Sequence, residues 1–411
     1  MELKDLKNKK ILILGFGREG KDTFLFLKKL FPGKKIGIAD EDTKIKAKAD
    51  LFLGKNYLKA IEKYDIIIKS PGIPFKSIPR SYLGKIITQT DLFLANSQGL
   101  IIGITGTKGK STTSSLIYNI LKAGGKRVHL IGNIEKPVLS FLLGKNKKDI
   151  FVYELSSHQL YNLKQSPNIS VFLNIFPEHL DYYRNFKEYA KAKANITLYQ
   201  KKEDYLIFNK KDKLVSSFAK KSKANKLPIV GDYYELDKAA AKKVGKLLKI
   251  SPKLIKKVID NFKGLECRME LVGTFKGITF YNDSLATIPE ATILAIKSLG
   301  SEVETILLGG FYRNISFKSL ARKILKSKIK TAILFPSTGE KIWKEISSLD
   351  KKKRIKHFFV KNMKEAVELS FKNTSKSKIC LLSPASPSFG LFKNYKERGD
   401  LFKKYVKRLD R

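Results

Sequence analysis

Apolar residues in this chain recur in two rhythms. Short unbroken runs appear at Ile11–Leu14, 35–39, 65–69, Ile101–Ile104, Val128–Ile131, 151–153 and 171–173. The series continues at 305–308, 331–335 and 379–382. Continuous rather than alternating apolarity marks strands buried on both faces, the habit of parallel sheets. Between these runs the spacing changes to three and four, as in Phe24, Leu27 and Leu30. Helices are expected over 110–122, 186–199, 236–248, 252–262 and 288–299, the first ending at Gly124-Gly125. The alternation predicts an α/β fold of three successive doubly wound units. In the third, 271–275 and 278–281 pair around Lys276-Gly277, and residues 383–399 form a polar loop leading into a helix. The stretch 210–226, rich in Lys, Ser and Asp, reads as a surface loop.

The run at Ile101 turns through Gly103, Gly106 and Gly109 into Lys110-Ser-Thr-Thr. Glycines there let the backbone turn tightly and aim N–H groups at an anion, and the following helix adds the positive end of its dipole. Lys110 would reach the terminal phosphates, and the hydroxyl of Ser111 or Thr112 would take Mg²⁺. This is an ATP loop, although Ile104 stands where the usual pattern has its first glycine.

Other strand ends carry chemistry as well. Gly15, Gly17 and Gly20 match G-x-G-x-x-G, and Asp40 lies where an acid meets a ribose hydroxyl. That fingerprint suits a dinucleotide, but a second nucleotide loop at Gly103 favours a nucleotide-bearing substrate in the first unit. Ser70 to Ile73 follow the strand ending at Lys69, at the edge where α/β sheets bind ligands. Glu154 ends an apolar strand, where a bare carboxylate is costly unless paired or bound to metal. Asn174, Glu178, His179 and Asp181 follow the next strand. A single histidine there is ordinarily structural, but beside Glu154 and an Mg·ATP loop the metal reading takes precedence. Tyr189 and Lys193, four apart, share a helix face.

Composition narrows the class. The 411 residues suffice for several domains, and 43% are hydrophobic. No apolar run approaches a membrane span, and the N-terminal apolar run is too short for a signal peptide. Cys267 and Cys380 give neither a disulfide framework nor metal spacing, so a soluble cytoplasmic protein is expected. The net charge of +44 invites a nucleic-acid reading. Only 11 of 82 basic residues are Arg, and the lysines are dispersed, so a solvated basic surface is favoured and no nucleic-acid partner is expected.

Taken together, G-x-T-G-T-x-G-K-S at 103–111, Tyr-Glu-Leu-Ser-Ser at 153–157, Asn-x-x-x-Glu-His-Leu-Asp at 174–181 and Tyr-x-x-x-Lys at 189–193 resemble the Mur ligase family across the whole chain. Asn282-Asp-Ser-x-Ala-Thr and Leu382-Ser-Pro-Ala-Ser-x-Ser resemble its D-glutamate-adding branch, as does Phe392-Lys-Asn-Tyr-x-x-Arg-Gly. The resemblance implies a Rossmann-like N-terminal domain at 1–95 for the UDP-sugar and a P-loop ATPase-like central domain at 96–264. A Rossmann-like C-terminal domain at 265–411 would take the amino acid. It implies an ATP-dependent ligase acting in peptidoglycan synthesis, with UDP-N-acetylmuramoyl-L-alanine and D-glutamate as substrates and an acyl phosphate on the way. The expected form is a monomer.

By the same resemblance, catalysis falls to Lys110, Glu154, His179, Lys193 and Asp283. Gly106, Thr107, Gly109, Lys110, Ser111, Thr112, Arg268 and Asp283 contact ATP. Two Mg²⁺ ions lie with Ser111, Thr112, Glu154, His179 and a carbamylated Lys193. Gly15, Gly17, Asp40, Ser70, Gly72 and Asn133 match the UDP-sugar region, and Thr287, Ser388 and Tyr395 surround D-glutamate. The chain departs from the pattern at Cys267, where the family has His, and at Tyr233, Tyr234 and Asp237 in the adenine segment. It also departs at Leu285 and Arg313, each replacing a Lys, with Arg313 the candidate partner of a D-glutamate carboxylate. The alternatives are a folylpolyglutamate synthase-like ligase, which needs no UDP site, and a non-catalytic basic nucleic-acid binder.

Overall fold

The computed structural model describes the chain except for residues 133–137, 145, 179–181, 233, 263, 314, 353 and 411. Two compact units emerge, the first spanning 1–231 and 235–260, the second 232–234 and 261–411.

The first unit holds two sheets. One is built from β1 (Ile11–Leu14), β2 (Ile36–Asp40), β3 (Asp50–Leu53), β4 (Ile66–Lys69) and β5 (Ile86–Thr88), in the order β3-β2-β1-β4-β5 and parallel throughout. The other takes β6 (Leu100–Thr105), β7 (Val128–Gly132), β8 (Ile150–Glu154), β9 (Ile169–Phe172), β10 (Tyr205–Asn209) and β11 (Asn225–Ile229). Its order is β11-β10-β9-β6-β8-β7, again all parallel. Both orders reverse beside the central strand, β1 in one and β6 in the other. That reversal opens the crevice at the carboxyl ends where ligands collect.

One hydrophobic core runs between these sheets. Phe93, on the helix Gln89–Asn96, packs edge-on against Phe151 at 5.1 Å and Tyr153 at 5.6 Å, both from β8. The Tyr153 hydroxyl and Thr90 Oγ1 share a hydrogen bond of 3.1 Å, which satisfies a buried phenol. Each buried aromatic or aliphatic side chain here contributes about 1.5–3 kcal/mol.

The second unit has its own sheet and cores. It comprises β12 (Glu270–Phe275), β13 (Ile278–Asn282), β14 (Val303–Gly309), β15 (Thr331–Phe335), β16 (Lys356–Phe359) and β17 (Ile379–Leu382), ordered β12-β13-β17-β14-β15-β16. The hairpin β12–β13 is antiparallel and the other pairs are parallel. The polar loop after β17 leads into the helix Tyr395–Asp410 as expected.

One expectation is overturned. Residues 210–226 are not a loop but hold the helix Lys213–Lys221 and the start of β11. Asp212 caps the helix by accepting from the N–H groups of Leu214 and Val215. Val215 and Ala219 are buried and Phe218 stacks on Phe172, so a narrow apolar stripe suffices among the lysines. Among the described residues no helix is long and apolar enough to cross a membrane.

Candidate active site

The loop between β6 and the helix Lys110–Ala123 folds as its glycines require. Gly109 caps the helix at φ +87°, a left-handed conformation that side chains resist. A Cβ there would strike the carboxylate of Asp237. That acid is buried and accepts from Thr113 Oγ1 at 2.9 Å, so the departure from the family pattern at this position underpins the loop. Asn174 clamps the other side. Its carbonyl accepts from Thr107 N–H at 2.9 Å, and its side chain exchanges two bonds with the Lys108 backbone, at 2.8 and 3.0 Å.

Thr107 has its hydroxyl engaged by Tyr189 and by the backbone of Phe176. Thr107 and Asn174 therefore shape the cradle from behind. The donors left for an anion come from the first helical turn, whose N–H groups lack intrahelical acceptors.

Lys110 Nζ donates to the carbonyls of Gly106 (2.9 Å) and Thr107 (3.0 Å). Lys193 Nζ donates to Gly106 O at 2.8 Å and lies 5.0 Å from the ring centroid of Tyr189, confirming that those two residues share a face. Lys193 is only 2% exposed. Burial, and then the Lys110 charge, hold its ammonium well below the usual lysine range. Lys108 forms an ion pair with Glu178 at 3.0 Å.

Glu154 ends β8 at 1% exposure, beside Ile104 at the end of β6. Ser111 Oγ is buried with no hydrogen-bond partner among the described residues. A buried carboxylate at the end of β8 and an orphaned hydroxyl in the first turn of the helix that follows the phosphate cradle fit the oxygen ligands that Mg²⁺ prefers. Thr112 is more exposed than Ser111, which makes Ser111 the better fit. His179 and Asn133 lie outside the described residues, as do Asp181 and Tyr233. Among the described residues no cluster of three acids, histidines or cysteines forms a metal cage.

The first sheet supplies the opposite wall. Gly15 turns at φ +91°, Ser70 Oγ donates to its carbonyl at 2.7 Å, and Asp40 accepts from Phe16 N–H at 2.6 Å. Gly15, Asp40 and Ser70 thus meet at the carboxyl edge, where Asp40 orders the loop that starts the helix Arg18–Leu30. A cavity of about 350 Å³ brings Pro71 and Gly72 together with Lys110, Lys193, Glu178 and Ser157. Tyr182 fastens this wall by donating to the carbonyls of Pro71 and Ile73, both at 3.0 Å.

Two cavity groups, Glu19 and Gln159, and Lys69 behind the Pro71-Gly72 wall escape a motif reading. Gln159 Nε2 donates to Glu19 Oε1 at 2.9 Å while its Oε1 accepts from Ser156. Lys69, 1% exposed, donates to Ser70 O at 2.9 Å and Ile73 O at 2.7 Å. The reasoning that singles out Glu154, a charge closing an apolar strand, applies equally to Lys69 in Asp65-Ile-Ile-Ile-Lys.

In the second unit Asp283 is buried. It accepts from Ser383 Oγ at 2.9 Å and from Met269 N–H at 3.2 Å. Arg268 is half-buried between Cys267 and Met269, both at positive φ. Cys267 is buried and contacts Asn282, so the position where the family carries His is here part of the packing. Arg398 is fully buried and donates to Ser284 and Ser386, tying together the loops after β13 and β17. Ser388 is buried, Thr287 half-buried, and Tyr395 and Arg313 are exposed.

Comparison with known proteins agrees with this geometry. Residues 104–284 match the model of the Mur ligase middle domain. The UDP-N-acetylmuramoylalanine–D-glutamate ligase of Acetivibrio thermocellus is 30% identical, over 99% of this chain and 98% of its own. Its namesake from Clostridium kluyveri is 33% identical over 98% and 97%. The MurF ligase of Thermotoga maritima, solved with ADP, shares the fold at 17% identity, covering 99% of this chain and 97% of that one with a TM-score of 0.62. Full-length identity to these ligases, with a phosphate cradle and the Lys110–Lys193 pair at its mouth, places the chain in the Mur ligase family.

Proposed function

We propose that the chain joins D-glutamate to UDP-N-acetylmuramoyl-L-alanine, driven by ATP through an acyl phosphate, in cytoplasmic peptidoglycan precursor synthesis. The observation that carries this reading is the cavity itself. It sets the ATP-loop lysine Lys110 opposite Gly72 of the first sheet, the edge assigned to the sugar nucleotide.

Phosphoryl transfer needs positioning and charge neutralisation more than covalent chemistry. Lys110 supplies a cation at the cradle, and the first-turn N–H groups orient the phosphates. Ser111 or Thr112 with Glu154 would hold one Mg²⁺, and His179 with the modified Lys193 a second, and these ions would supply neutralisation of phosphate charge. Gly106 and Gly109 admit the nucleotide, with Thr107 and Thr112 lining the turn and Arg268 and Asp283 completing the ATP contacts.

Lys193 is carbamylated in the active enzyme. Burial and the neighbouring Lys110 charge disfavour its ammonium form, which eases release of the nitrogen lone pair for attack on CO₂. The ammonium first gives up one proton, then an N–C bond forms as one C–O π bond of CO₂ opens and a second proton leaves the nitrogen, so a carbamate anion stands where a cation was crowded by Lys110.

Gly15, Gly17, Asp40, Ser70, Gly72 and Asn133 bind the UDP-sugar, and Thr287, Arg313, Ser388 and Tyr395 bind D-glutamate. The segments 1–95, 96–264 and 265–411 serve as sugar-nucleotide, ATP and amino-acid domains of a monomer. The test is phosphate release and product mass with UDP-N-acetylmuramoyl-L-alanine, ATP and a panel of amino acids. Release must require all three substrates and favour D-glutamate; turnover with dihydropteroate instead would establish the folylpolyglutamate alternative.

A further inference from the structure

A carboxylate is an odd wall for a cavity that receives anions. Glu19, the second residue of the helix Arg18–Leu30, lines the same space as Lys110, Gly72 and Ser157. Its Oε1 is held by Gln159 Nε2 at 2.9 Å, from the segment after β8, while its backbone carbonyl accepts from Thr23 Oγ1 at 2.8 Å within its own helix. Lys69 stands close enough to act on its charge, and its ammonium secures Ser70 O and Ile73 O on either side of Pro71-Gly72. Asp22, itself bonded to Gln89 Nε2 at 2.8 Å, and Arg18 also act on the charge of Glu19, and Lys110, Glu178, Lys193 and His158 line the same cavity.

We propose that Glu19 is a positioning residue whose proton is taken up with the sugar-nucleotide anion, so that Glu19 and the Lys69 behind this wall together set its charge toward that anion. The inference rests on the ligase reading above. A protonated Glu19 offers an O–H donor and no charge to a diphosphate or carboxylate, whereas an ionised Glu19 repels it.

The surroundings suit this role. Burial raises the Glu19 carboxyl to about 7 against the opposing bond from Gln159, and burial lowers Lys69 to about 7. Below neutrality the wall is a neutral acid beside an ammonium. Above it, the wall is a carboxylate beside a neutral amine. Neither a sugar-nucleotide diphosphate nor an alanyl carboxylate titrates in this range, so the pH dependence belongs to the protein.

The experiment is the KM for UDP-N-acetylmuramoyl-L-alanine at saturating ATP and D-glutamate, from pH 6 to 8. One proton taken up at a group titrating near 7 raises the KM about tenfold over that interval. In Glu19→Gln, which keeps the shape and the bond to Gln159 without the charge, the rise should vanish. In Lys69→Met, which removes the cation that favours ionised Glu19, it should move to higher pH. A wild-type KM constant across the interval, or an undiminished rise in Glu19→Gln, overturns the proposal. If the glutamine variant fails to fold, an unmoved profile in Lys69→Met overturns it as well. Absence of ligation by the wild type at every pH would instead overturn the ligase reading.

Discussion

Lys110 and Lys193 donate to one and the same oxygen, the carbonyl of Gly106, at 2.9 and 2.8 Å. Two ammonium groups on one acceptor repel each other, and this crowding is relieved when one moves onto phosphate or loses its charge. Lys110→Ala should therefore lower kcat by about 10²–10³-fold, the usual loss for a preorganised charge. Since Lys110 is only half-buried, the thermal midpoint should stay within a few degrees. Near-normal phosphate release by this variant would remove Lys110 from the mechanism.

Carbamylation of Lys193 is checked by chemical rescue. Lys193→Ala should lose nearly all activity and recover part of it on addition of acetate or formate, which restores a short carboxylate in the vacated space. Intact-mass analysis of the active enzyme should show the added mass of about 44 Da expected for CO₂ bound to an amine. An unmodified amine in a fully active, Mg²⁺-loaded enzyme would refute the assignment.

Gly109→Ala should damage the nucleotide loop in particular. Left-handed backbone costs a β-carbon about 1–2 kcal/mol, and the new methyl also meets the Asp237 carboxylate. We expect urea denaturation to show a loss of at least that size, with ATP affinity falling more than affinity for the sugar nucleotide. Equal stability and unchanged ATP binding would mean the loop has another conformation in solution.

The two perturbed groups of the first sheet have opposite effects on stability. Between pH 4.5 and about 7 the folded chain keeps a proton on Glu19 that the unfolded chain has released, so this group makes stability fall as pH rises. Between about 7 and 10.5 the unfolded chain keeps a proton on Lys69 that the folded chain has lost, so stability rises with pH. Urea unfolding of Glu19→Gln against wild type isolates the first effect. Wild type loses about 1.4 kcal/mol for every pH unit over which only its folded form holds that proton, so the variant should gain on it by about 3 kcal/mol on going from pH 4.5 to 7.5. A constant difference would show that Glu19 titrates normally.

Arg313 remains the candidate partner for a D-glutamate carboxylate, since it follows β14 at the ligand edge and is exposed. Arg313→Ala should raise the KM for D-glutamate about tenfold or more while leaving those for ATP and the sugar nucleotide within about twofold, as expected for one charge-assisted bidentate contact. Arg313→Lys should recover only part of the loss, because an ammonium cannot present the planar fork. An unchanged D-glutamate KM would return Arg313 to the solvated surface.

What could be read in advance was local. The Ile101 run, its glycine turn and the helix from Lys110 are contiguous, and each step has its own residue signal. The edge strands β3 and β16 were invisible because they are largely exposed, and pairing with β2 and β15 stabilises them more than their own apolarity does. The helix at Lys213 hid because its apolar stripe is thin and its cap, Asp212, resembled loop composition. At the site, Glu154 and Lys193 were legible from motif and strand position. The meeting of Glu19, Lys69 and Gln159 was not, since it joins three segments that only the packing of two sheets brings together.

Phe93 wedged against Phe151 and Tyr153 has a consequence for how this chain can be recombined with its relatives. A chimera spliced in the link between Asn96 and Leu100 would replace one face of a shared aromatic contact and leave the other facing a foreign surface, so it should misfold unless both halves come from one parent. A splice near 260 divides no such core, because the last sheet buries its own faces. In such an exchange the segment carrying the last sheet is the interchangeable module, while the first two sheets are inherited as one piece.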